Sequence, residues 1–283
     1  VANRTFYEDG AARTVAVHDY ANDTAAASAS TLGYTVNDLA GTAKPPVNYL
    51  LVDNVYDLQN MDSRLAGSYM LAGDIDAAAT GKWSDSASYG LEGFKPVGTG
   101  TNNMFTGRLD GMNHNIRGLI INRTCAEGDL CSYNGLFGVA SQAIIQNVNL
   151  LNCDITGVAT NNLCDLSVGG LVGYASGGKI LNSVVSGQVK AEGNATNATI
   201  DLGGIVGEME NGNIETVHNS GHIILIGGTN QDSEYDCIGG VIGTGRGVSV
   251  YNAYNSGLVE AERVRMISAG GIIGSIRRYA IYG

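Results

Sequence analysis

The chain has 283 residues, with 41 Gly but only 3 Pro, 44% hydrophobic residues and a net charge of −11. Glycine is not at every third position, which excludes collagen, and the apolar content is too high and too regular for a disordered chain. The acidity leaves no basic surface for phosphates, so neither nucleic acid nor an anionic membrane is expected as a partner.

No apolar run approaches the ~20 residues a membrane helix needs, so membrane insertion is not expected. Val1 to Asp9 is polar with charges of both signs, unlike a signal peptide, and the chain reads as a mature or excised segment. Residues 1–44 carry no repeat. They hold strand-like runs at Arg13–Val17 and Gly33–Val36, and a small-residue stretch from Ala25 to Ser30. Lys44-Pro45-Pro46 favours an extended connector and sets a boundary. Two segments follow: an N-terminal arm at 1–44 that links or caps, and a repeat-bearing body at 45–283 with regular repeats from about 133. Early in the body lie Leu50-Leu51-Val52 and Tyr69-Met70-Leu71, with a short helix or turn at Leu58–Met61 between them. Phe105–Asn122 reads as a non-identical coil with a turn at Asp110-Gly111 and a strand at Leu119–Ile121.

From there one phrase recurs five times. It runs from Gly135 to Gly138, Gly170 to Gly173, Gly204 to Gly207, Gly240 to Gly243 and Gly271 to Gly274, at spacings of 35, 34, 36 and 31 residues. Such a period marks one structural unit stacked on itself. In the same register stand Ile145, Ile180, Ile214 and Val250, then Asn147, Asn182, Thr216 and Asn252. Ser186-Gly187, Ser220-Gly221 and Ser256-Gly257 follow, each leading to an aliphatic residue at Val189, Ile223 or Val259. Each unit is thus three short apolar segments separated by Gly, Asn and Ser, and no window sustains a 3.6-residue stripe, so these are strands and turns. Equivalent residues recur one whole unit later, which predicts parallel stacking of coils about 4.8 Å apart, an all-β solenoid. Adjacent strand residues face opposite ways, so both aliphatic residues of a glycine phrase turn inward only if the phrase bends. Asn147, Asn182 and Asn252 predict a structural amide ladder at a turn, with Thr216 as a substitute. Variable stretches, roughly Lys190–Leu202, Gly227–Ile238 and Glu260–Ala269, interrupt each unit at one fixed point and would emerge on one edge.

Five cysteines occur without a CxxC pair, and His218 with His222 is the only close histidine pair, so no zinc site is expected. Cys125 and Cys131 bracket one loop, and Cys153 and Cys164 another. Two local disulfides would suit an extracytoplasmic protein; buried free thiols are the alternative, and Cys237 is left over. N-x-Ser/Thr sequons stand at Asn3, Asn22, Asn122, Asn194 and Asn197, of which Asn194 and Asn197 fall in an expected outer loop and are the glycosylation candidates.

An ordered series accompanies the glycine phrases: Val52-Asp-Asn-Val-Tyr-Asp-Leu-Gln-Asn-Met61, Leu71-Ala-Gly-Asp-Ile-Asp76, Gly93-Phe-Lys-Pro-Val-Gly98 and Phe105-Thr-Gly-Arg-Leu-Asp-Gly111. Together they resemble the GLUG-repeat regions of large bacterial surface proteins, above all filamentous-haemagglutinin-like exoproteins of the two-partner secretion pathway. The resemblance covers about Tyr49 to Gly274. It implies a right-handed parallel β-helix displayed outside the cell and used in adhesion or cell–cell contact. The secretion domain usual at the N-terminus of such exoproteins is not recognisable in residues 1–44.

Solenoids also carry enzymes, whose chemistry needs converging carboxylates. Asp74, Asp76, Asp110, Asp154, Asp165 and Asp201 are the candidates, but no acidic residue repeats in register, and neither GxSxG nor a P-loop occurs. No catalytic, cofactor or metal residue is therefore assigned. The leading expectation is an extracellular adhesive segment that meets a cell-surface glycan or protein receptor through its edge loops. A second is a subunit that joins copies of itself end to end through the N-terminal arm, since after Gly274 the last unit stops before its Asn and Ser-Gly segments. An unfinished coil exposes unpaired backbone that proteins usually cover. A carbohydrate-active enzyme ranks last.

Overall fold

The computed structural model describes residues 1–22, 27–28, 48–87, 90–125, 131–160, 164–193, 199–227, 236–264 and 267–277. It is a parallel β-solenoid. One coil shows the plan: Asp165–Gly169 leads into the glycine phrase, Val172–Ser176 leaves it, and Lys179–Gly193 runs back along the long side. Equivalent strands stack into two five-stranded sheets flanking the glycine corner and a fourteen-stranded sheet on the long side. Register is one repeat throughout. Leu166 faces Ile200, Val172 faces Val206, and Val189 faces Ile223 across parallel ladders. The expected column Ile145, Ile180, Ile214 and Val250 is paired link by link.

The glycine phrase does bend, and both aliphatic residues of each copy turn inward. Leu171 and Val172 are fully buried, as are Ile205 and Val206, and Val241 and Ile242. None of the ten phrase glycines has a positive φ. Their role is closeness. A Cβ on Gly204 would lie 2.3 Å from the Gly240 carbonyl oxygen, and one on Gly170 would lie 2.6 Å from the Gly204 oxygen. The first glycine of each phrase therefore lets the next coil seat directly on its own backbone. At Gly271 a Cβ meets nothing within 4 Å.

Left-handed backbone sits at the Asn column instead. Asn147, Asn182, Thr216 and Asn252 have φ of 55°, 46°, 54° and 49°. Asparagine tolerates this conformation because its amide bonds locally, whereas a β-branched threonine does not favour it. The amide of Asn182 donates to Asn147 at 3.4 Å, and that of Asn147 donates to Asp110 at 2.9 Å.

Toward the N-terminus the coils become irregular and the core aromatic. The chain Leu50, Tyr69, Leu109, Ile145 continues the long sheet through four coils. Phe105 packs on Phe137 at 4.5 Å, and Tyr20 meets Tyr69 edge-on at 5.0 Å. The short helix or turn expected at Leu58–Met61 is a helix that begins three residues earlier, α1 (Val55–Asn60). Asn54 caps it by accepting from the Tyr56 and Asp57 amides, and a 3-10 turn (Met61–Ser63) follows. The strand expected at Arg13–Val17 is the second arm of a hairpin, Ala2–Glu8 with Ala11–Val17. Phe6, Val17 and Tyr20 join the same continuous core as the repeats. Gly33–Val36 and the Lys44-Pro45-Pro46 boundary lie outside the described residues.

The disulfide expectation needs correction. Cys125 is bonded to Cys164, 39 positions on, with Cα atoms 6.5 Å apart, while Cys153 and Cys237 are buried and form no disulfide. Neither loop is stapled locally, because stacking puts residues one repeat apart side by side. Cys125 bonds its backbone N–H to Val158 of the next coil and thus ends beside Cys164. Cys153 is buried in the core, where its thiol donates to the Gln188 carbonyl at 3.7 Å. The side chain of Cys131 lies outside the described residues.

Candidate functional site

Of the carboxylates weighed for chemistry, all but Asp201 are dispersed, each bonded within its own turn or to a neighbouring coil. Asp74 accepts two N–H groups of Asn115 at 2.9 and 2.7 Å, which hold its carboxyl below the usual range. Asp76 caps Ala78, and Asp110 accepts from Met112, Gln146 and Asn147. Asp154 receives the Gln188 amide and Asp165 the Thr199 N–H. Asp74 and Asp76 do not join in a cation site among the described residues. His218 and His222 part company as well: His218 bonds Ser256 and lies tilted against the Tyr254 ring, while His222 pairs with Glu260 at 2.9 Å. Asn194 and Asn197 fall outside the described residues; Asn3 and Asn122 are exposed on strands.

Three clusters were not foreseen. The first lies in the glycine corner, where the residues two or three before and four after each first glycine form facing columns. One reads Tyr133, Ser167, Asp201, Cys237 and Ser268; the other reads Val139, Tyr174, Glu208, Thr244 and Ser275. Early coils fill the gap with a Tyr133–Tyr174 ring contact at 5.6 Å. Later coils fill it with charge: the Thr244 hydroxyl donates to the Asp201 carboxylate, and Arg246 bonds Glu208 at 3.2 Å and Glu210 at 3.0 Å. Burial raises the Asp201 carboxyl. Burial, helped by the Asp201 charge, lifts Glu208 to about 7, and burial lifts Asp236 to about 6. The Cys237 thiol in this column is raised by burial too, which makes it a poor nucleophile. With Asp201 and Asp236 buried and Glu208 and Arg246 partly exposed, this cluster can store protons.

The second is an inner amide ladder. Asn219, fully buried, donates to Asn255 at 2.8 Å, and each side chain accepts the N–H of the glycine two residues on. The repeated Asn-Ser-Gly at 219–221 and 255–257 was its signal in sequence. The third groups His18, Asp53 and Asp57 where the hairpin exit meets α1. His18 stands 2.7 Å from Asp53, and its backbone N–H donates to Asp57 at 2.8 Å. With Asn54 bonding the other Asp57 oxygen at 2.8 Å, the group is a closed latch joining segments some 35 residues apart.

Beside that latch, the hairpin and the first coils enclose a cleft of about 170 Å³ lined by Arg4, Thr5, Tyr7, Gln59, Ser84 and Lys95, among others. Gln59 accepts the Lys95 N–H and donates to the Lys95 carbonyl, both at 2.8 Å. Arg4 is committed to Asp62 at 2.7 Å.

Residues 165–190, which span one corner and the start of the long strand, match the family described as the GLUG motif. Halomucin of Haloquadratum walsbyi is 37% identical over 173 residues, or 60% of this chain; the chain spans 2% of halomucin's length. A crystal structure of a Bacteroides ovatus protein provisionally named an immunoglobulin A1 protease superposes with a TM-score of 0.47 at 15% identity, covering 82% of this chain and 84% of the other.

Proposed function

We propose that the chain is a coil-stacked segment of an extracellular cell-surface protein, serving as a structural and adhesive element. The observation that carries this reading is the GLUG register itself. Identical corners stacked one repeat apart make a rigid rod whose variable stretches all leave at one place. Gly193 lies opposite Ala159, and Ile226 opposite both Glu192 and Glu262, so the strand ends that launch those stretches line up along one edge. Similarity to halomucin supports a surface setting. The disulfide between coils supports an oxidising compartment. The ordered series similar to filamentous-haemagglutinin-like exoproteins supports contact with a cell-surface glycan or protein receptor.

The test replaces residues 194–198 and 228–235, separately and together, with glycine–serine linkers and measures binding to a glycan array and to intact cells. Loss of binding with the fold retained supports adhesion through the edge; an unchanged profile sinks it.

A further inference from the structure

The N-terminal hairpin leaves one edge open beside the cleft, and its turn fixes which atoms face there. Asp9 and Gly10 have φ of 50° and 76°. This is a two-residue turn with both central residues left-handed, closed by the hydrogen-bonded pair Glu8 and Ala11. Bonding alternates from that pair. Arg4, Phe6 and Glu8 direct their backbone groups to the strand Ala11–Val17, whereas Asn3, Thr5 and Tyr7 direct theirs to the opposite edge. The Asp9 N–H, which donates to the Lys82 carbonyl at 2.8 Å, has the same phase.

On that outer edge the strand Trp83–Ser84 pairs with Tyr7 and Glu8 alone. The chain then turns away at Asp85, whose carboxylate is gripped by Arg123 at 2.9 and 3.0 Å. Among the described residues no strand lies opposite Thr5 and Asn3, and Thr5 lines the cleft. Lys95 projects at the same place. Its backbone is clamped by Gln59, its side chain is exposed, and no carboxylate of the described residues lies within ion-pair distance. An open edge thus adjoins a cation that helps hold the Asp85 carboxyl down but forms no ion pair among the described residues, in a chain of net charge −11.

We propose that this edge is a strand-addition site for an extended acidic peptide segment. The peptide continues the line of Trp83–Ser84 antiparallel to Asn3–Thr5, exchanges backbone hydrogen bonds with Thr5, and sets a carboxylate against Lys95. A saccharide fits less well. Trp83 and Phe6 are only 3% and 6% exposed and the Trp83 indole N–H donates to Glu8, so neither ring offers a face for stacking. The proposal is independent of adhesion through the edge loops, which lie elsewhere in the repeat.

The test uses the full chain and a fluorescein-labelled, terminally blocked hexapeptide alternating valine and glutamate, read by fluorescence anisotropy. A valine–lysine version is the control. Saturable binding of the acidic peptide is expected, weakened roughly tenfold by Lys95→Glu through charge reversal. Thr5→Pro is expected to abolish it, because proline removes an outward N–H and spares the pairing to Ala11–Val17. Circular dichroism checks the fold of both variants. Slowed amide exchange at Thr5 in the wild-type complex reports the new hydrogen bond even if Thr5→Pro fails to fold. Absence of binding, or binding indifferent to Lys95→Glu with no slowing at Thr5, overturns the proposal. So does peptide-free dimerisation that Thr5→Pro abolishes, which would assign the edge to a second copy.

Discussion

Residues that look interchangeable in the repeat are held by different constraints. The phrase glycines are fixed by contact with the next coil, not by backbone conformation. Gly204→Ala would drive a methyl group onto the Gly240 carbonyl and the buried Asn219 amide. It is expected to cost roughly 2–3 kcal/mol in urea unfolding, the scale of overpacking. Gly271→Ala meets open space and is expected to stay within about 0.5 kcal/mol of wild type in the same measurement. The Asn column behaves in the opposite way, since its constraint is φ. Thr216, β-branched at +54°, bears strain that asparagine would relieve. Thr216→Asn is expected to stabilise the chain by about 1 kcal/mol; a neutral or destabilising result would show that the threonine is favoured by its surroundings. Both columns were legible in the sequence as register. Which one needed space and which needed a left-handed turn was not, because glycine satisfies either demand and the difference lies in the neighbouring coil.

Strands and their pairings carry the next set of consequences. The Cys125–Cys164 bond closes a loop of 39 residues between two coils. Loop entropy for that length amounts to roughly 3–4 kcal/mol, so Cys125→Ala with Cys164→Ala should lower stability by about that much, and reduction of the wild type should do the same. Local spacing misled the pairing because the relevant distance runs between coils. The corner columns have their own pH signature. The carboxyls of Glu208 and Asp236 are raised in the folded chain to about 7 and about 6, so the fold binds protons that the unfolded chain releases. Their contribution is fully present below the ordinary carboxyl range and is lost as pH rises through 6 to 7. Urea midpoints are therefore expected to fall between pH 5 and pH 8, and Glu208→Gln should flatten that fall. A midpoint that rises over this interval would contradict the assignment. No sequence pattern announced this cluster, because its members come from columns occupied by tyrosine and serine in earlier coils.

At the scale of the whole molecule, a stack in which each coil touches its neighbours should tolerate loss of one unit. Deleting residues 170–203 joins Gly169 to Gly204 and puts each later strand on an equivalent partner. A cooperative but less stable solenoid is expected by circular dichroism and thermal unfolding, whereas deletion of half that length should abolish the transition. Period, register and the one-sided position of the variable stretches followed from the sequence alone, because stacking demands the same residue type at the same place in every unit. Three things waited for the tertiary structure: the partner of Cys125, the charge buried between the corner sheets, and the seating of the Asp-Gly hairpin against Trp83 with one edge open. Each depends on residues dozens of positions apart being brought into contact by stacking. A repeat declares its period in one dimension, but what stands beside each residue is decided by the coils on either side.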